Sequence, residues 1–100
     1  MSRYRLKDVL AGTQGEVRGA ISANHAFPRI ERDARKVHTG DLYVAIRGEV
    51  FDGNAFTPGA AANGAAAAIV SREWADSNPD PGIPLIVVDE SNAALRRWAK

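Results

Sequence analysis

The sequence predicts an α/β fold, a small mixed β-sheet with flanking helices. Three features carry that expectation. The run Leu85-Ile86-Val87-Val88 after Pro84 is continuously apolar and mostly β-branched, as in a strand covered on both faces. Residues 66–70 form a second apolar run directly after a short helix-like stretch, and residues 41–46 make the clearest strand of all. One hundred residues suffice for one domain, and 45% hydrophobic with 25% charged residues is an ordinary globular balance.

From the N-terminus, residues 4–10 read as a short amphipathic helix with Leu6, Val9 and Leu10 inward and Gly12 as its stop. Residues 15–19 make at best a brief edge strand. Residues 30–33 alternate apolar and charged, residues 37–40 read as a turn, and a tight link joins 30–33 to the strand at 41–46. Thr57 followed by Pro58 signals a helix start, with the threonine hydroxyl as cap, for a helix over residues 58–63. Gly64 then supplies the left-handed residue that ends it.

The proline-rich stretch 77–82 is expected to be a loop between the strands at 66–70 and 85–88, the latter taken as central. Asp89, Ser91 or Asn92 caps a last helix in which Ala94, Leu95 and Trp98 recur on one side. That helical pattern runs to the last residue, which points to a longer parent chain.

Composition removes several function classes. Thirteen Lys and Arg against twelve Asp and Glu leave a net charge of +1, without the basic footprint of a nucleic-acid binder. No cysteine is present, so thiol chemistry and Cys-based metal sites are excluded, and His25 and His38 alone make a poor metal set. No stretch has membrane-span length, so neither membrane insertion nor a leader is expected and a cytoplasmic location is the default. No Gly-x-x-x-x-Gly-Lys-Ser/Thr loop occurs, so no triphosphate site can be read. Gly40, Gly48 and Gly53 bracket the best strand, with Arg32, Arg35 and Arg47 nearby as planar donors suited to phosphate. Asp33, Asp41 and Asp52 are expected to cap turns and pair with arginines, with no catalytic role, and His38 to be exposed in its turn.

The run from Asp33-Ala34-Arg35 through Gly40-Asp41-Leu42-Tyr43-Val44-Ala45 and Gly48-Glu49-Val50-Phe51-Asp52-Gly53-Asn54 resembles the N-terminal domain of the Mur ligases. That family's signature has Asp-Ser-Arg, then Gly-Asp-Leu-Phe-Val-Ala, then Gly and Asp-Gly-His. The resemblance implies a single N-terminal domain over residues 1–100 that binds the UDP end of UDP-N-acetylmuramoyl-peptide, cut from an ATP-dependent amide ligase of peptidoglycan synthesis before its ATP-binding domain. The parent would use ATP and magnesium; this chain would hold neither cofactor and be inactive alone.

Around Gly48 the sequence is most similar to the MurF type, which adds D-alanyl-D-alanine. The MurE type, which adds the third amino acid, is the alternative, as is a stand-alone protein-interaction domain of the same fold. Carried over by position, the substrate-binding residues are Arg32, Ala34, Arg35, Gly48, Glu49, Val50 and Phe51. Asp33, Gly40, Asp41, Asp52, Gly53 and Asn54 form the structural motif. No catalytic or metal-ligating residue is implied. Ala34 replaces the family's serine, and Asn54 and Ala55 replace its histidine and following acid.

Overall fold

The computed structural model describes residues 4–45, 52–79 and 81–89. The helix expected around Ala94, Leu95 and Trp98, and the end of the strand at Ile46, lie outside the described residues. A five-stranded mixed sheet organises the chain: β1 (Glu16–Arg18), β2 (Ile30–Glu31), β3 (Leu42–Val44), β4 (Ala67–Ser71) and β5 (Leu85–Val88). The order is β1-β5-β4-β3-β2. β1 runs antiparallel to β5, and the other neighbours are parallel. β5 is thus an interior strand, as its apolar run predicts, but β4 holds the middle.

Alternation along the three inner strands builds two cores. Leu42, Val44, Ala67, Ile69, Ile86 and Val88 face one side, where Leu6, Val9 and Phe27 cover them. Tyr43, Ala45, Ala68, Val70, Leu85 and Val87 face the other, under Val37, Ala60, Ala65 and Ala75, with Trp74 packed half-buried against them. The alanines of β4 and of the facing helix let backbone approach backbone, which is why a poor strand former occupies the centre.

Helix α1 (Leu6–Thr13) runs through Gly12, contrary to the expected stop. Thr13 is turned inward, its hydroxyl donating to the Val9 carbonyl at 2.7 Å, and Gln14 takes the left-handed conformation (φ 58°) that ends the helix. The glycine with a spatial duty is Gly15, where a Cβ would lie 2.7 Å from Ile86 Cγ2. At the other end of α1 the Leu6 and Lys7 amides donate to the carbonyls of His25 and Ala23, so no capping side chain is needed.

β2 and β3 are parallel, Ile30 level with Leu42, so the link between them is a short crossover holding a 3-10 turn (Ala34–Lys36). Two further expectations are corrected. Thr57 does not cap α2 (Thr57–Ala62). A 3-10 turn (Gly53–Phe56) runs straight into that helix, the Thr57 amide already donates to the Asn54 carbonyl, and the buried Thr57 hydroxyl has no hydrogen-bond partner among the described residues. Between β4 and β5 lies α3 (Arg72–Ser77), where only a loop was expected. Ser71 caps it by accepting from the Trp74 amide at 3.4 Å, with Glu73 in the first turn: Ser-Arg-Glu is a helix-start signal hidden by the prolines that follow.

Gly64 ends α2 as expected, with φ 102°. It also lets the 37–40 turn close in: the Gly40 amide donates to the Gly64 carbonyl at 2.9 Å, and a Cβ on Gly64 would lie 2.9 Å from Thr39 Cα. Gly64→Ala is therefore expected to cost about 1–3 kcal/mol through a strained φ and a backbone clash. The thermal midpoint should fall by roughly 4–8 °C per kcal/mol; an unchanged midpoint would refute the close approach.

Candidate functional site

A cleft of about 670 Å³ opens at the β2–β3 side of the sheet, lined by residues 31–36, Tyr43, Gly53 and Phe56. Its walls are the crossover that leaves the carboxyl end of β2 and the 3-10 turn that follows β3, the strand end where ligands enter open parallel sheets. Arg32, Asp33, Ala34, Arg35 and Gly53 are thus brought together as the motif suggests. Gly48, Glu49, Val50 and Phe51, with Arg47, lie outside the described residues. A second groove of about 510 Å³, bordered by Arg18, Pro81 and Pro84, sits at the opposite sheet edge and contains none of the motif residues.

Short polar bonds shape the crossover wall. Asp33 caps the Ala34–Lys36 turn: its carboxylate accepts the Arg35 amide at 3.0 Å and the Arg35 guanidinium at 3.1 and 3.0 Å. Those hydrogen bonds hold the Asp33 carboxyl below its usual range. Arg35 is 88% exposed at its side chain, so this is a weak surface pair that an anion can displace. Arg32 is exposed and, among the described residues, its guanidinium has no hydrogen-bond or ion-pair partner. Ala34 is half-buried against the second core, and its carbonyl accepts from Asn63 Nδ2 at 2.9 Å.

Asp41 is 1% exposed and accepts four bonds. Arg29 Nε donates to both its oxygens at 3.2 Å, Arg29 Nη2 donates to one at 2.8 Å, and the His38 amide donates to that same oxygen at 2.8 Å. The Arg29 hydrogen bonds hold the Asp41 carboxyl low against burial, which pushes it up. His38 is exposed in its turn, as expected.

The opposite wall is braced from the sheet. Asp52 caps the Gly53–Phe56 turn, taking the Asn54 amide at 3.0 Å and Asn54 Nδ2 at 2.7 Å. Asn54 is buried, and its Oδ1 accepts the Ser71 amide at 2.9 Å, tying the turn to the end of β4. The Tyr43 hydroxyl donates to the Gly53 carbonyl at 2.8 Å. Burial, then the charges of Asp33 and Asp52, push Tyr43 up to about 12, so it stays a neutral donor at ordinary pH.

Residues 28–100 match the profile of the Mur ligase family, catalytic domain. The chain belongs to the Mur ligase family. A UDP-N-acetylmuramoyl-L-alanyl-D-glutamate–2,6-diaminopimelate ligase of Bacillus velezensis is 42% identical over 66 residues, covering 66% of this chain and 12% of the relative. A UDP-N-acetylmuramoyl-tripeptide–D-alanyl-D-alanine ligase of Escherichia coli K12 is 33% identical over 99 residues, 96% of this chain and 20% of the relative. A crystal structure of MurF from Acinetobacter baumannii superposes with a TM-score of 0.79 at 27% identity, covering 95% of this chain and 20% of that one. The chain thus spans a fifth or less of each of these three proteins, and its five-stranded fold is that of the corresponding Mur ligase domain.

Within this Mur ligase domain, sequence reasoning missed Arg29, Lys36, the buried Tyr43 at the base of the cleft and the exposed Phe56. Arg29 and Asp41 are twelve residues apart, beyond any local motif, whereas alternation along residues 41–46 could have placed Tyr43 opposite Leu42.

The Asp41 pairing carries a pH signature. A carboxyl held low in the folded state stabilises fully above the unfolded value of about 3.9 and loses that contribution as pH falls through its lowered folded value. Asp41→Asn is expected to lower the thermal midpoint by several degrees at pH 7 and to flatten its decline below about pH 4. Parallel acid denaturation profiles for the two proteins would contradict this.

Proposed function

We propose that the cleft holds the uridine diphosphate end of a UDP-N-acetylmuramoyl-peptide, and that this chain is the substrate-binding domain of an ATP-dependent ligase in cytoplasmic peptidoglycan precursor synthesis. The observation that carries the reading is the cleft's lining. Arg32, Arg35 and Lys36 supply positive charge on one wall, and Phe56, 48% exposed, supplies aromatic surface on the other, a combination suited to a diphosphate joined to a flat base. Gly48, Glu49, Val50 and Phe51 join the contact in this reading through their place in the motif. Ala34 lacks the family's serine hydroxyl, so the wall offers its backbone and guanidinium groups instead.

ATP does not fit these residues, since the sequence contains no triphosphate loop. Activation of the peptide carboxylate and attack by the incoming amine belong to the rest of the ligase. The D-alanyl-D-alanine-adding type is favoured by the sequence around Gly48 and by the superposed structures, which are of MurF. The diaminopimelate-adding type is the second reading, supported by relatives of 32% and 34% identity over 95% and 90% of this chain and by one of 42% over 66% of it. Offering the full-length ligase each amine in turn separates them.

Titration of the 100-residue chain with UDP, followed by amide chemical shifts, tests the site. Shifts should cluster at residues 31–36, 43 and 48–56, weaken with added salt, and require roughly tenfold more ligand in Arg32→Ala, the loss expected for one charge-assisted hydrogen bond. Shifts confined to the groove of Arg18, Pro81 and Pro84, or none at millimolar UDP, would remove the proposal.

A further inference from the structure

The wall formed by residues 31–36 has almost no regular secondary structure to hold it, because β2 ends at Glu31 and the 3-10 turn is three residues long. One guanidinium gathers its loose ends. Besides its fork on Asp41, Arg29 Nη2 donates to the Lys36 carbonyl at 3.1 Å, where the wall ends, and lies 3.5 Å from Glu31 Oε1, where it begins. The other Glu31 oxygen accepts the amides of Arg32 and Asp33 at 3.0 and 3.1 Å. A continuous polar chain therefore runs from the buried Asp41 carboxylate through Arg29 and Glu31 to the backbone of the residue whose guanidinium faces the cleft.

We infer that Arg29 is a positioning residue for ligand binding: without lining the cleft, it holds the 31–36 wall, and so Arg32, in the geometry that receives a diphosphate. The inference deepens the proposed function and rests on it for the identity of the ligand. Its physical basis is the planar fork, which meets Asp41, the Lys36 carbonyl and Glu31 at once. A lysine ammonium at the same place would keep the charge beside Asp41 and lose the simultaneous reach. Arg29 is a polar tie and adds no side chain to either hydrophobic core, so its removal takes support from the wall before it takes apolar packing from the sheet.

Amide hydrogen exchange in the ligand-free 100-residue chain, with UDP titration beside it, tests this in Arg29→Ala and Arg29→Lys. In Arg29→Ala the amides of Arg32, Asp33 and Arg35 should exchange at least about tenfold faster beyond any loss of protection at β4 and β5, which should be the smaller. The UDP dissociation constant should rise by about tenfold. Because the Arg29 side chain is 44% exposed, added methylguanidinium can reach the vacated slot and should restore part of the affinity; methylammonium at equal ionic strength should not. Arg29→Lys should show the same wall loosening in smaller degree, and it carries the test if Arg29→Ala does not fold. Unchanged wall exchange with a dissociation constant within about twofold of wild type would overturn the inference. So would a loss of protection spread equally over β4 and β5, which marks a general staple of the fold. If the wall loosens as stated but wild-type protein binds no UDP, the positioning stands and the uridine diphosphate reading fails.

Discussion

Everything at the candidate site depends on how a very short parallel crossover is closed. Parallel neighbours are ordinarily joined by a dozen or more residues, usually a helix whose own ladder satisfies the backbone. Here residues 32–41 make the passage with a single 3-10 turn between β2 and β3. Their amides and carbonyls must find partners elsewhere: acidic side chains take the amides, two at Glu31, one at Asp33 and one at Asp41, while Arg29 and Asn63 donate to the carbonyls of Lys36 and Ala34. Arg29 then neutralises Asp41, the most deeply buried of these charges. A buried carboxylate without that partner would be a heavy cost, so the same pairing that permits Asp41 to sit at the base of β3 also fixes the crossover above it.

This arrangement explains why a wall rich in arginine and lysine can be rigid. Carboxylates are spent on the backbone, and the cations of Arg32 and Lys36 are left to line the cleft beside Arg35, whose surface pair with Asp33 water already screens. Across the cleft the support comes from the sheet itself. Tyr43 reaches from the middle of β3 to the Gly53 carbonyl, and Asn54 hangs the same turn from Ser71 at the end of β4. Both anchors are buried hydrogen bonds on strands packed on two faces, so the two walls share one rigid base.

The inner strands were legible because their signal is local and repeated: four apolar residues after Pro84, an unbroken apolar run after Asp41, and Gly64 at the end of a short helix. Turn chemistry was legible too, since Asp33 and Asp52 each stand directly before the 3-10 turn they cap. What escaped were choices made by tertiary context. Gly12 stays helical because Thr13 points into the core, and Thr57 gives up capping because the preceding turn has already taken its amide. The direction of β2 relative to β3 cannot be told from alternation alone, which is the same for parallel and antiparallel strands. Arg29 escaped for a similar reason, because its partner lies twelve residues away and nothing local distinguishes it from any surface arginine.

A crystal structure of the 100-residue chain with UDP tests the central claim most directly. The account predicts the diphosphate within hydrogen-bond distance of the Arg32 guanidinium, and the Arg29–Asp41 fork and the backbone of residues 31–36 unmoved from the geometry described above. A diphosphate bound away from this cleft, or bound only after the crossover has been rebuilt and the fork broken, would contradict it.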